Sequence, residues 1–191
     1  YDCIGVTMKL YDNEDIGMEQ EKTCCSLRDI EDARSVAVKL GIPYYVFNFK
    51  ADFKEKVIDN FIESYRCGMT PNPCIECNRH LKFSHLQQKA RELQCDVVVT
   101  GHYARITKDD RGYHLLKGRD SAKDQSYVLY SLTQEQLAHT CFPLGDYTKE
   151  EIRRIAEEQG FFNADKKDSQ DICFIPDGDY RRFIEETTGQ K

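Results

Sequence analysis

A proline-containing turn that leads into two cysteines constrains this chain most: residues 68–78 read GMTPNPCIECN. Proline fixes its own φ and biases the residue before it toward extended backbone, so Thr70 to Pro73 is predicted to be a rigid loop. Apolar residues at helical spacing follow, at positions 83, 86, 90 and 93. Cys74 and Cys77 are therefore expected near a helix N-terminus, where backbone N–H groups and the helix dipole stabilise a thiolate.

A lone C-x-x-C pair leaves several interpretations open. It fits a helix-capping loop with two buried cysteines, a metal site or a redox pair. A structural zinc module needs a second closely spaced pair, and the chain has none with that spacing. A thioredoxin-like pair follows the first strand of a small domain, whereas this pair follows a predicted helix and a proline loop. A non-catalytic nucleotide-binding module is the third alternative.

Cysteine usage and charge narrow the class of protein. Nine cysteines in 191 residues, an odd number at irregular spacing, argue against a secreted disulfide framework and favour a reducing cytoplasm. The net charge of −6 argues against a general nucleic-acid binder. No apolar run is long enough to span a bilayer and no signal-peptide pattern opens the chain, so no membrane association is expected. Because the chain starts at Tyr1 inside a predicted strand and ends in a helical pattern, we interpret it as a fragment.

Alternating strand and helix patterns predict an α/β fold with a parallel sheet. Strands are predicted at residues 2–9, 44–49 and 96–100, the last a near-continuous apolar run as in a strand buried on both faces. Ligands of such sheets bind beyond the carboxyl ends of the strands. Gly101 and His102 follow the third strand directly and are expected at that edge, although a plain turn is the alternative.

The second half of the chain predicts a hairpin and two capped helices. The hairpin joins residues 104–107 to residues 113–117. Thr133 and Thr148 each open a capping box with Gln136 and Glu151 three residues later. Residues 103–123 contain six basic and three acidic side chains, which indicates either a solvated hairpin face or an edge that faces phosphates.

Four motifs occur in register along the chain: TPNPCIECN at 70–78, GHYAR at 101–105, KDQSY at 123–127 and DSQDICFI at 168–175. Each motif alone is weak evidence. Together they resemble the tRNA-specific 2-thiouridylase family over nearly all of the chain, and the helix that ends at LGIP, residues 40–43, fits the same family.

The resemblance implies a doubly wound, Rossmann-like α/β domain of the N-type ATP pyrophosphatase (adenine nucleotide alpha hydrolase-like) kind. Residues 1–175 would form part of this catalytic domain, and residues 176–191 would start a second, small helical domain that binds tRNA. The implied reaction is ATP-dependent 2-thiolation of the wobble uridine of tRNA in the cytoplasm. Its cofactors would be ATP and Mg²⁺, and its sulfur would come from a persulfide donor such as a cysteine desulfurase or a sulfur carrier.

The resemblance also assigns roles to residues. Cys77 would be the nucleophile and Cys173 the residue that carries the persulfide. Asn72, Pro73 and Cys74 would lie beside the target base, and Met8 and Gly101 near the adenine nucleotide. The positions implied to contact tRNA are His102, Lys123, Asp124 and Gln125. A disulfide bond is implied as well, without assigned partners.

Two departures from the family pattern matter. The chain has neither the family's Ser-Gly-Gly-x-Asp-Ser phosphate loop nor its C-terminal β-barrel, so the fragment alone is expected to be inactive. Some members carry Asp where this chain has Cys74. We interpret Cys74 as an acid–base group or as a cluster ligand. The alternative mechanism is a [4Fe–4S] cluster held by Cys74, Cys77 and Cys173.

Overall fold

The computed structural model describes residues 1–12, 27–164, 172–175 and 177–189. Two parallel strand pairs confirm the predicted α/β class. Strand β1 (Gly5–Lys9) pairs in parallel with β2 (Tyr44–Asn48), with Gly5 opposite Tyr44. Helix α1 (Leu27–Leu40) connects them, as expected for a βα unit.

The described residues divide into two compact units, of which the first comprises Tyr1–Pro73 and Lys166–Lys191. After β2, a continuous helical stretch contains α2 (Lys50–Phe53), a π-helical segment (Lys54–Ile58) and α3 (Asp59–Arg66). Helix α8 (Tyr180–Thr188) belongs to the same unit. The predicted domain boundary at residue 175 stays a prediction.

Aromatic side chains from distant parts of the sequence form the core of the first unit. Phe174 makes edge-on contacts with Phe53 and Phe61, at ring-centroid distances of 5.6 and 5.5 Å, and it packs on Phe183 of α8 at 5.3 Å. Burying one such side chain contributes about 1.5–3 kcal/mol. The unit is therefore held together by both ends of the sequence.

The second unit is the continuous stretch Cys74–Asp165. Its helices are α4 (Pro73–Glu76), of which Pro73 still belongs to the first unit, a π-helical segment (Cys77–His85), α5 (Leu86–Glu92), α6 (Gln134–Ala138) and α7 (Lys149–Glu158). Its strands are β3 (Val98–Val99), β4 (Ala104–Asp109), β5 (Gly112–Lys117) and β6 (Thr140–Cys141). Short 3₁₀ turns occupy Ser126–Val128 and Pro143–Asp146. The buried cluster consists of Phe83, Ala104, Val128, Leu129 and Phe142.

Several local predictions for this unit are confirmed. β4 and β5 form the antiparallel hairpin, and β3 pairs in parallel with β6. Thr133 and Thr148 cap α6 and α7 with both hydrogen bonds of a capping box in place. The third predicted strand is shorter than expected, because only Val98 and Val99 find partners in β6.

Two parallel strands leave apolar side chains in contact with solvent. Val99 is 62% exposed in β3, and Tyr45 and Val46 are exposed in β2. Parallel strands usually have both faces covered, so these positions depart from the expected burial. Within the described ranges, no helix has the length and apolar character needed to cross a bilayer.

Candidate functional site

The thiol turn, defined here as residues 73–78, opens a helical stretch that continues to Glu92. The helix begins at Pro73, so the prediction that the loop includes Pro73 is wrong at that residue. Proline suits the first helical position, because its missing N–H costs no hydrogen bond there. Cys74 is exposed and Cys77 is half-buried. The predicted position of both cysteines at a helix N-terminus is confirmed.

The buried side chain of Asn78 stabilises the thiol turn. Its side chain is only 2% exposed, and its Nδ2 donates to the carbonyl oxygen of Cys74 at 2.9 Å. On the opposite side, the carboxylate of Glu76 accepts from Arg79 Nη1 at 3.1 Å and lies 3.1 Å from His80 Nε2. Side chains three and four residues apart meet on one helix face, so the Glu76 carboxylate holds both neighbours in place.

The helix widens immediately after the thiol turn. Residues Cys77–His85 are π-helical, with hydrogen bonds between residues five apart. Such segments are rare and occur frequently at functional sites. Cys77 is therefore the first residue of a locally unusual backbone.

Cys173 lies in a short segment that the core of the first unit anchors. Its own side chain is half-buried, whereas the following Phe174 and Ile175 are each 1% exposed. The hydroxyl of Tyr11 donates to the carbonyl oxygen of Cys173 at 2.7 Å. The backbone at Cys173 is thus fixed from both sides, while residues 168–171 of the predicted motif lie outside the described residues.

His102 is 6% exposed and packs between aromatic rings. Its ring centroid lies 5.9 Å from that of Phe83 and 5.7 Å from that of Phe142, and its Nδ1 lies 2.7 Å from Thr100 Oγ1. Burial, followed by the nearby Lys82 charge, lowers the pKa of His102 to about 3, so the ring is neutral at pH 7. Little of this side chain is left at the surface for the predicted tRNA contact, which stays a prediction.

Asp124 and Gln125 make their described contacts inside the second unit. Asp124 accepts hydrogen bonds from Gly118 N and Ser126 Oγ, both at 2.8 Å. Burial alone would raise its carboxyl pKa, but these hydrogen bonds dominate and the pKa is lowered. Gln125 Oε1 accepts from the backbone N–H of Tyr103 at 3.0 Å. These two side chains stabilise the loop that carries Lys123.

The predicted nucleotide-binding positions lie near the carboxyl ends of parallel strands. Met8 is half-buried near the end of β1, and the exposed Gly101 follows β3. A Cβ at Gly101 would meet only Leu144 Cδ1, at an ordinary 3.5 Å. Both positions fit the general location of ligands in parallel sheets, but the 191 residues supply no glycine-rich loop for phosphates.

The predicted residues are distributed over both units. Cys74, Cys77, Gly101, His102 and residues 123–125 belong to the second unit, whereas Met8, Asn72, Pro73 and Cys173 belong to the first. In the part of the chain that the structure describes, no three or more His, Cys, Asp or Glu side chains are arranged to hold a metal ion.

Sequence reasoning missed a cationic and aromatic surface beside the thiol turn. Arg79 Nη2 lies 3.4 Å from the hydroxyl of the exposed Tyr130. Two signals point to this surface in retrospect. Residues 77–91 contain no acidic side chain, and two tyrosines bracket the buried pair Val128–Leu129.

A family profile described as the tRNA methyl transferase HUP domain matches residues 1–177. A protein described as tRNA-specific 2-thiouridylase MnmA from Symbiobacterium thermophilum is 57% identical over 192 residues, which cover 97% of this chain and 49% of the relative. Its counterpart from Clostridioides difficile is 55% identical over 186 residues, with 96% and 51% covered. One from Clostridium perfringens is 51% identical over 191 residues, with 100% and 53% covered.

The chain spans about half the length of the curated relatives it matches. The predicted resemblance to the tRNA-specific 2-thiouridylases is confirmed by these matches. The parallel strand pairs with their helices agree with the Rossmann-like α/β architecture of a HUP domain. Because the profile matches nearly the whole sequence, the chain belongs to the tRNA methyl transferase HUP domain family.

Proposed function

We propose that the protein thiolates the wobble uridine of tRNA at C2 in an ATP-dependent reaction. The description of the family profile names a tRNA methyl transferase, whereas the three relatives are described as 2-thiouridylases. The observation that favours sulfur transfer is the thiol turn, with two cysteines in the first turns of a helix. Thiolates are sulfur nucleophiles, and the first turn of a helix is a general location for reactive cysteines.

In the proposed reaction Cys173 receives sulfur from a donor as a persulfide. Its terminal sulfur attacks C2 of the activated uridine, and the activated oxygen leaves with its electron pair. The Cys77 thiolate then attacks Cys173 Sγ, which breaks the persulfide S–S bond and leaves the sulfur on C2. The products are 2-thiouridine and a Cys77–Cys173 disulfide, which an external thiol reductant must reduce before the next cycle.

ATP with Mg²⁺, when bound, would supply the activation of the C2 oxygen by adenylation. The residues of this chain proposed to lie near the nucleotide are Met8 and Gly101. Asn72 and Pro73 are proposed to form one wall beside the target base, since Pro71 and Pro73 stiffen that backbone. His102, through its contacts with Thr100 and Phe142, would hold the neighbouring Gly101 in place.

The test uses the longest natural chain that contains these 191 residues, with ATP, Mg²⁺, tRNA and a persulfide donor. Cys77→Ser and Cys173→Ser should each abolish 2-thiouridine formation, measured by mass spectrometry of tRNA nucleosides, while circular dichroism stays unchanged. Cys95→Ser is the matched control, because Cys95 is a half-buried cysteine of the second unit, as Cys77 is. This control should keep activity near that of the unsubstituted protein.

Three outcomes would count against the proposal. If Cys77→Ser forms an unchanged amount of 2-thiouridine, Cys77 is not the nucleophile. Methylated uridine in place of 2-thiouridine would favour the chemistry named in the family description. A Cys74→Asp variant that loses iron and acid-labile sulfide together with activity would favour a [4Fe–4S] cluster held by Cys74. The persulfide route, in contrast, tolerates a carboxylate at this position.

A further inference from the structure

Two exposed tyrosines lie three residues apart in the sequence of the second unit. Tyr127 is 62% exposed and Tyr130 is 65% exposed, whereas Val128 and Leu129 between them are buried in the core. The turn at Ser126–Val128 is 3₁₀-helical and contains Tyr127, and Tyr130 follows its last residue by two positions. The buried pair therefore anchors the turn, and both rings are held at the surface.

Arg79 connects these rings to the thiol turn. One nitrogen of its guanidinium, Nη2, lies 3.4 Å from Tyr130 Oη, and another, Nη1, donates to Glu76 at 3.1 Å. Glu76 and Arg79 lie on either side of Cys77 within one helical turn. Arg79 is thus the first residue after the thiol turn, and its guanidinium links this helix to Tyr130.

The helix that carries Arg79 is locally basic in an acidic chain. Residues 77–91 contain four Lys or Arg and two His, with no acidic residue, although the whole chain has a net charge of −6. Within the described residues, Lys89 and Arg91 pair with Glu92 and Glu135 near the far end of this stretch. Positive charge next to exposed aromatic rings complements an RNA strand, because phosphates need cations and unstacked bases need flat apolar surfaces.

We propose that Arg79, Tyr127 and Tyr130 form a stacking platform for unpaired RNA bases next to the target nucleotide. This inference rests on the proposed function, since it assigns part of the RNA contact to a surface beside the thiol turn. An unpaired strand fits better than a duplex, because ring faces are available only on bases that are not stacked in a helix. Stacking on such a surface tolerates any base, so the platform fixes the strand and does not read its sequence.

The platform is separate from the predicted tRNA contacts at residues 123–125. The side chains of Asp124 and Gln125 form hydrogen bonds with Gly118, Ser126 and Tyr103. The tyrosine rings, in contrast, present most of their area to solvent. Base contact at this surface therefore requires no rearrangement of the loop.

The experiment titrates the longest natural chain that contains these residues into a single-stranded RNA of the anticodon-loop sequence, with 2-aminopurine next to the target uridine. Stacking quenches the fluorescence of 2-aminopurine. The double variant Tyr127→Leu/Tyr130→Leu should lose the quench and bind on the order of tenfold more weakly or worse. Tyr130→Phe keeps the ring and should keep the quench.

Tyr147→Leu is the matched control, because Tyr147 is an exposed tyrosine of the same unit outside the platform. It should quench and bind like the unsubstituted protein. Equal binding by the double variant and the control would overturn the platform, and so would equal affinity for the RNA and for its duplex. If the protein forms no 2-thiouridine but the quench still depends on both tyrosines, the proposed function fails and the platform stands.

Discussion

At the scale of single residues, His102 connects burial to the pH dependence of stability. Its pKa is about 3 in the folded chain, against 6.5 for an ordinary histidine, so the unfolded chain alone takes up a proton between these values. The free energy of unfolding should therefore fall as the pH falls below 6.5, by about 1.4 kcal/mol per pH unit from this group. His102→Asn should flatten that slope in denaturant melts between pH 6.5 and 4.5.

The control for this residue is His139→Asn, at an exposed histidine of the same unit. Its melts should follow the pH dependence of the unsubstituted chain. A slope that His102→Asn leaves unchanged would mean that the imidazole takes up its proton inside the folded chain, in conflict with its position between Phe83 and Phe142.

At the scale of elements, the segment 172–175 depends on one aromatic anchor. Phe174 contacts Phe53, Phe61 and Phe183, so Phe174→Ala leaves a cavity in the middle of the first unit. The expected loss is about 3–5 kcal/mol in the free energy of unfolding, measured by urea denaturation. Phe162→Ala removes the same atoms from a ring that is 63% exposed and should cost less than about 0.5 kcal/mol.

Hydrogen exchange adds a local check on the same element. Faster exchange of the Ile175 amide, which donates to Ile172 O at 2.9 Å, should accompany the loss of Phe174. Full protection of that amide in Phe174→Ala would show that the hydroxyl of Tyr11 and other contacts hold the segment without the ring.

The elements that sequence patterns predicted are those with a local cause. In the capping boxes of Thr133 and Thr148, the capping residue and its partner lie within four residues of each other. A hairpin needs only its two strands and a turn. The π-helical segment at Cys77–His85 was missed, because a turn with one extra residue leaves no mark in composition or spacing. Strand β6 was missed because two residues carry no periodicity, and only pairing with Val98–Val99 defines it.

The candidate site was predictable to a similar extent. The helix N-terminus at Cys74 and Cys77 follows from proline chemistry and was predicted from the sequence. The burial of His102 was not, since it depends on Phe83 and Phe142, which are distant from it along the chain. Arg79 and Tyr130 are also distant along the chain, so their contact needs the fold.

At the scale of the whole molecule, the two units differ in how the sequence supplies them. The second unit is one continuous stretch whose core cluster and capping boxes all lie within residues 74–165. Expressed alone, this stretch should unfold cooperatively in a thermal melt followed by circular dichroism. Residues 1–73 alone lack Phe174 and Phe183 and should show no cooperative transition; a sharp transition in that piece would mean that its own helices suffice.

The exposed apolar side chains of the parallel strands make self-association of the chain a competitor of RNA binding. Val99 of β3, with Tyr45 and Val46 of β2, presents apolar side chains to solvent, and exposed apolar surface favours self-association. Aggregates formed in this way would scatter light, trap RNA without regard to its bases and mimic binding. Titrations therefore belong at low micromolar protein, with particle size followed by light scattering in parallel.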